Sequence, residues 1–351
     1  MPAISLNMLE TYTLMAIGEE IVPRANFFRD RYFPTDAGDL FASDKVLTEY
    51  RKGDRKMASF VSPRVGDIPM DRRGYEIHEY QPAFIAPSRP LTADELNKRG
   101  FGEALYSQST QAQRAARLLQ DDLRDMDLRI ERREEWMCAK TMIDNGCTMQ
   151  EYLDDKTKGD TLIVKFYDTA TEHKYTPADF KNDVIAACRL LTRRGLPAED
   201  MLIGADVNSW LQSNAEFQKL LDRNSGILTG TVNEQLTRYP GVTYIGRFNF
   251  GGHNLDLFCV DEEYEDENGQ SAKFFPATSV EITAPSCGHL MYGQITQMDY
   301  GQTDFTSYVA KRVPKLIVDQ PNDRRKLRYA CRPLAAPKNY TPWIYMESVI
   351  D

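Results

Sequence analysis

Long apolar runs are missing from this chain. None approaches the roughly 18 residues that a helix needs to cross a bilayer, so a helical membrane protein is excluded. Clustered cysteines are missing too. The six, at 138, 147, 188, 259, 287 and 331, show neither CxxC spacing nor disulfide density, and read as free thiols of a reducing compartment. Residues 1–23 contain no Lys or Arg and three acids, Glu10, Glu19 and Glu20. Such an N-terminus has no positive region for a secretory signal and no basic arm to gather nucleic acid. Phosphate-cradling GxxxxGK[ST] and GxGxxG turns are absent, as is HExxH. Cys287-Gly288-His289 is the one close Cys/His pair, short of the four ligands a structural zinc site usually takes. The acidic run 261–267 lacks the glycine of a calcium loop and, before Asn268-Gly269, reads as a solvated hairpin tip. No catalytic, metal or cofactor-binding residues are therefore expected.

What remains is an ordinary globular composition. The 351 residues carry a net charge of −9, with 42% hydrophobic and 27% charged residues, enough for a sizeable core in one large domain or two. Residues 1–40 read as an arm, with Phe27, Phe28, Tyr32 and Phe33 crowded beside Pro34. These aromatics fit either anchorage onto another surface or packing in the local core. Residues 41–90 contain short strand-like runs broken by Gly53, Pro63, Gly66, Pro69 and Gly74. Within 44–80, eight basic residues face seven acids. A two-stranded ribbon this polar is marginal alone, and must lie against something else. An edge hairpin on the main sheet is the other reading. Arg51, Lys52, Arg55, Arg72 and Arg73 in this segment, with Phe27 and Phe28, are candidate subunit contacts.

From Ser109 to Ile143 there is no Gly or Pro, and apolar residues recur at Ala112, Ala116, Leu119, Leu123, Met126, Ile130 and Met137. Steps of three and four predict one helix face. About 35 residues at about 1.5 Å each make a rod of about 50 Å. The charged residues on its other faces, Glu131, Glu134 and Glu135 among them, are expected to meet solvent or neighbours. Strands and helices then alternate through 160–310, giving an α+β class. The last strand, 343–350, is expected to return to the same sheet as Leu162–Phe166. Residues 311–332 hold eight basic residues against Asp319 and Asp323. They read as a solvated or subunit-pairing segment, or as a DNA-facing patch at Arg324, Arg325, Lys326 and Arg328.

The order of these parts resembles the lambda-like major capsid proteins of tailed phages, the phage major capsid protein E family. The aromatic arm Phe27-Phe28-Arg29 … Tyr32-Phe33-Pro34 comes first, then Phe60-Val61-Ser62-Pro63-Arg64-Val65-Gly66. The Pro-punctuated Pro82–Pro87 follows, and then the Arg- and Glu-rich helix ending near Asn145-Gly146. The resemblance implies a Hong Kong 97-type capsid fold: an N-terminal arm at 1–40, an extended β loop at 41–90, and a peripheral domain at 91–194 with a spine helix at 109–143. An axial domain at 195–310 and a return to the peripheral domain at 311–351 complete it. It implies no enzyme activity but self-assembly into pentamers and hexamers around packaged double-stranded DNA, weakly contacted. It also implies a separate scaffolding protein, a portal, a trimeric decoration protein in some members, and residence in the virion after the host cytoplasm. The alternative is a cytosolic α+β enzyme of unknown reaction.

Overall fold

The computed structural model describes residues 26–50, 76–92, 111–153, 157–166, 173–214, 217, 239, 241–267, 269–321 and 324–348. The arm enters as helix α1 (Phe27–Tyr32) and a 3-10 turn (Ala37–Asp39). Strands β1 (Val46–Tyr50) and β2 (Glu76–Tyr80) pair antiparallel, from Val46 opposite Tyr80 to Tyr50 opposite Glu76. The expected ribbon therefore exists at its base. Arg51, Lys52, Arg55, Arg72 and Arg73 lie outside the described residues. After the ribbon, Ser88–Thr92 forms β3. It is the edge strand of a sheet, the position that tolerates the missing N–H of Pro90.

The rod is helix α2 (Gln111–Asp144). Asn145 follows it with a positive φ of 54°, the left-handed conformation that ends helices and that Asn accepts more readily than most residues. A hairpin follows, β4 (Gly146–Tyr152) with β5 (Lys158–Lys165). Then come β6 (His173–Tyr175), α3 (Phe180–Arg193), β7 (Asp200–Gly204), α4 (Ala205–Ser213), β8 (Val242–Phe250) and β9 (His253–Val260). The acidic run forms the expected hairpin, β10 (Glu263–Glu265) with β11 (Ser271–Lys273). The chain continues through β12 (Ser279–Thr283), β13 (Gly288–Tyr292), β14 (Ile295–Met298) and β15 (Phe305–Tyr308). Strands β16 (Val313–Asp319), β17 (Arg324–Ala330), β18 (Pro333–Pro337) and β19 (Ile344–Ser348) close it.

The central sheet has six strands in the order β6-β19-β12-β7-β9-β8. One face packs on α3 and α4 through Val184, Leu191, Val207 and Leu211. The other meets the arm aromatics and the last turns of α2. Strand β19 does not join the 162–166 hairpin, as the sequence led us to expect. It sits between β6 and β12, against His173–Tyr175 and Ser279–Ile282. The reason is burial: Ile344, Tyr345 and Met346 are apolar on both faces and enclosed, which suits an interior strand of a doubly covered sheet. The β5 strand is largely exposed, Ile163 included.

The middle of α2 has a different partner. Leu123, Met126 and Ile130 pack on Leu316, Leu327 and Tyr329, from a three-stranded sheet ordered β16-β17-β3. The predicted apolar stripe is thus the face that meets a sheet.

Candidate functional site

The arm is held to the body by buried charge. Glu131, Glu134 and Glu135 are not on a solvated back of α2 but enclosed, Glu134 completely. Glu135 accepts backbone N–H bonds from Phe28 at 2.7 Å and Arg29 at 2.8 Å, and so caps the first turn of α1 from another helix. Burial pushes its carboxyl up to about 7, against those two donors. Glu134 receives both terminal nitrogens of Arg312 at 2.6 and 2.9 Å and the Tyr292 hydroxyl at 2.9 Å. Arg312 also reaches Asp127 at 2.8 Å. Its guanidinium holds Glu134 below the ordinary carboxylate range in spite of burial, which by itself acts the other way. Arg29 joins the same seam through Glu131 at 3.1 Å. This seam borders a cleft of about 770 Å³ lined by both signs of charge.

Phe27 and Phe28, proposed from sequence as subunit contacts, are buried within their own chain. Phe27 lies edge-on to Tyr32 and Tyr239 and against Phe258. Phe28 stacks on Phe275. Local packing, the second of the two readings, is what these aromatics do, because they share with the last turns of α2 the apolar face of the central sheet. Phe33 presses so closely on β13 that a Cβ at Gly288 would run into its ring.

The basic segment divides. Arg312 belongs to the buried seam. Strand alternation turns Leu316, Leu327 and Tyr329 toward α2 and puts Arg325 on that same side. Lys315, Ile317, Arg324, Lys326 and Arg328 face away from the helix, with Lys315 directly opposite Arg328. Arg324, Arg325 and Lys326 are exposed. Arg328 bonds to Gln297 at 3.0 Å. It and Arg332 flank the Phe84 ring, at 5.8 and 5.5 Å from its centroid. Burial, with the facing Arg328, pushes the Lys315 ammonium down.

Among the described residues, the thiols and histidines form no reaction centre. Burial raises all six thiols, Cys147 and Cys287 to about 12 and Cys188 to about 11, which leaves them inert as nucleophiles at neutral pH. Cys287 takes a bond from Thr283, and His289 engages Asp39 at 3.0 Å.

The fold is of the Hong Kong 97 type. A crystal structure named as a capsid protein of an E. coli CFT073 prophage is similar over 97% of this chain and 99% of its own, with 15% identity and a TM-score of 0.66. Looser likenesses are to the capsid of Ralstonia phage GP4 (8% identity, 93% and 92% covered, TM-score 0.48) and the satellite phage P4 procapsid (14%, 97% and 100%, 0.46). No curated protein sequence matches. The family model described as phage major capsid protein E matches residues 10–347, and the chain belongs to that family. It is a structural subunit that self-assembles into the shell of a virion, and not an enzyme. No helix among the described residues is long and apolar enough to cross a membrane.

Proposed function

We propose that this chain builds an icosahedral head from pentamers and hexamers and encloses packaged double-stranded DNA. The observation that carries the reading is the ribbon. Strands β1 and β2 contact chiefly each other among the described residues. They are tied to the body at one end, where Val46 is buried and Tyr80 packs edge-on to Phe166. A pair of strands attached at its base gains stability by lying on another copy. Residues 41–90 would then be the extended loop over a neighbour, with Arg51, Lys52, Arg55, Arg72 and Arg73 as contacts. Helix α2 would be the spine of a peripheral domain at 91–194, joined by 311–351. Residues 195–310 would be the axial domain, meeting its copies around the five-fold and local six-fold axes.

The net charge of −9 opposes strong DNA binding. It suits a container filled by a motor through a portal, with weak contact to its contents. A separate scaffolding protein would set the curvature, and a trimeric decoration protein is the remaining partner of this reading. Many exposed ion pairs, each worth about 0–1 kcal/mol, would add up over repeated rings. Expression with and without the candidate scaffold, followed by sedimentation and electron microscopy, tests it. Rings or closed shells are expected, and protein that stays monomeric under every condition overturns it.

A further inference from the structure

The buried seams of this protein pair their cations. Arg29, Arg31 and Arg312 each meet a carboxylate within 3.1 Å. The face of the β16-β17-β3 sheet turned away from α2 does the opposite. Among the described residues, Lys315, Arg328 and Arg332 have no carboxylate within ion-pair distance. Lys315 stands directly across from Arg328, a like-charge pair that costs stability. Burial pushes both of these cations down, and for Lys315 the facing Arg328 adds to it. The Nε atoms of Arg328 and Arg332 are enclosed without a partner. A buried donor left so is a cost that a ligand can remove.

The three cations sit in a recess rather than on an open surface. The β14-β15 hairpin covers one end of this face, where Ile295 and Tyr308 pack on Val313 and Ala330. Lys315 and Arg328 stand two residues beyond that contact on their strands. Gln297 of the hairpin accepts from Arg328 at 3.0 Å and gives its own amide to Asp299 and the Pro314 carbonyl. Asp299, the acid whose charge reaches Lys315, also accepts the Tyr308 hydroxyl. Arg328 and Arg332 share the Phe84 ring, at 5.8 and 5.5 Å from its centroid. Arg332 also lines a polar hollow of about 440 Å³ with Gln294 and Thr296. Asp44 lines that hollow too and repels an anion inside it, which favours the Phe84 side of Arg332.

We propose that Lys315, Arg328 and Arg332 bind a single phosphate-type dianion. Guanidiniums present paired N–H donors that match phosphate oxygens, and charge-assisted bonds of this kind are the strong ones. A dianion cancels most of the local charge and faces the orphaned donors with several acceptors. Its size fits half-buried cations. A rigid duplex would instead meet Arg324 and Lys326, which are exposed on the same face. The phosphate could come from solution or from a DNA backbone, and the two sources are separable.

Equilibrium dialysis of the unassembled full-length subunit against labelled inorganic phosphate, at constant ionic strength in chloride, tests the site. Saturable binding that sulfate displaces is expected. Lys315→Gln should weaken it by about tenfold or more. The same variant loses the like-charge pair, so its melting temperature in chloride should be unchanged or higher. Phosphate should raise the melting temperature of the wild type and not that of the variant. Arg332→Gln should lose the phosphate response as well, and Arg324→Gln with Lys326→Gln should keep it. Uptake without saturation would mean an adventitious ion only, and overturns the proposal. Saturable binding that Lys315→Gln and Arg332→Gln both retain overturns it too. So does a duplex DNA probe whose binding depends on Lys315 and Arg332 while inorganic phosphate does not bind, which would assign the recess to DNA. The site is complete in one subunit, so these outcomes are independent of whether the chain assembles into shells.

Discussion

Arg31 and Asp200, 169 residues apart in the chain, form a two-bonded ion pair at 2.6 and 2.7 Å. Asp200 is wholly buried at the start of β7 and also takes the Tyr32 hydroxyl at 2.9 Å. Arg31 lies over the Phe258 ring at 4.7 Å. The arm is thus bonded to the central sheet at the point where its aromatics cover it. Removing the cation leaves a carboxylate in the core with a single hydroxyl. Arg31→Ala should lower unfolding stability by about 3–5 kcal/mol. Arg31→Lys should also fail to restore it fully, since an ammonium cannot make the forked contact. Urea unfolding of the unassembled subunit measures both, and a loss under about 1 kcal/mol for Arg31→Ala would contradict the role given to the pair.

The same subunit should respond to loss of the arm's aromatics. Because Phe28 packs on Phe275 inside its own chain, Phe28→Ala should cost about 3–5 kcal/mol before any assembly. A side chain that acted only between subunits would leave the free subunit's melting temperature unchanged. Gly288→Ala should act in the same direction, by displacing Phe33.

Glu135 gives a pH dependence with a definite sign. Its carboxyl is raised to about 7 in the folded chain by burial, from an ordinary 4.5. The folded state therefore holds a proton that the unfolded state releases. Its contribution to stability is fully present below about 4.5 and lost as pH rises to about 7, at most about 3 kcal/mol. Glu135→Gln, which keeps one acceptor for the α1 amides, should flatten the stability profile between pH 4.5 and 7. An unchanged slope in the variant would show that the group does not titrate there.

Glu281 is a further buried acid, on β12 in the middle of the central sheet. Neither carboxyl oxygen has a hydrogen-bond partner, and burial raises its pKa well above the usual value. A polar group enclosed without partners costs more than an apolar side chain of similar volume. Glu281→Met should raise stability by about 1–3 kcal/mol at neutral pH, with a larger gain at higher pH, where the wild-type acid is forced to ionise. Thermal melts at pH 7 and 9 check it, and a destabilised variant would mean that the carboxyl is doing something the fold needs.

The sequence alone was enough for the α+β class, for the rod, read as 109–143 and found as Gln111–Asp144, with its apolar stripe, and for the hairpin of the acidic run. All three are local. A period of 3.6 and an Asn-Gly turn are properties of neighbouring residues, and packing only has to accept them. The order of arm, charged segment and helix also carried the family. Tertiary structure decided what each charge is for. Glu134 and Glu135 look, in sequence, like the rest of a charged helix surface. They are buried because Arg312 and the α1 amides arrive from 178 and 106–107 residues away, and no periodicity encodes a partner at that separation. The basic run was legible as a run. Only strand register could send Arg325 to one face and Lys315, Lys326 and Arg328 to the other, and only the six-stranded sheet could draw β19 away from the hairpin next to the rod.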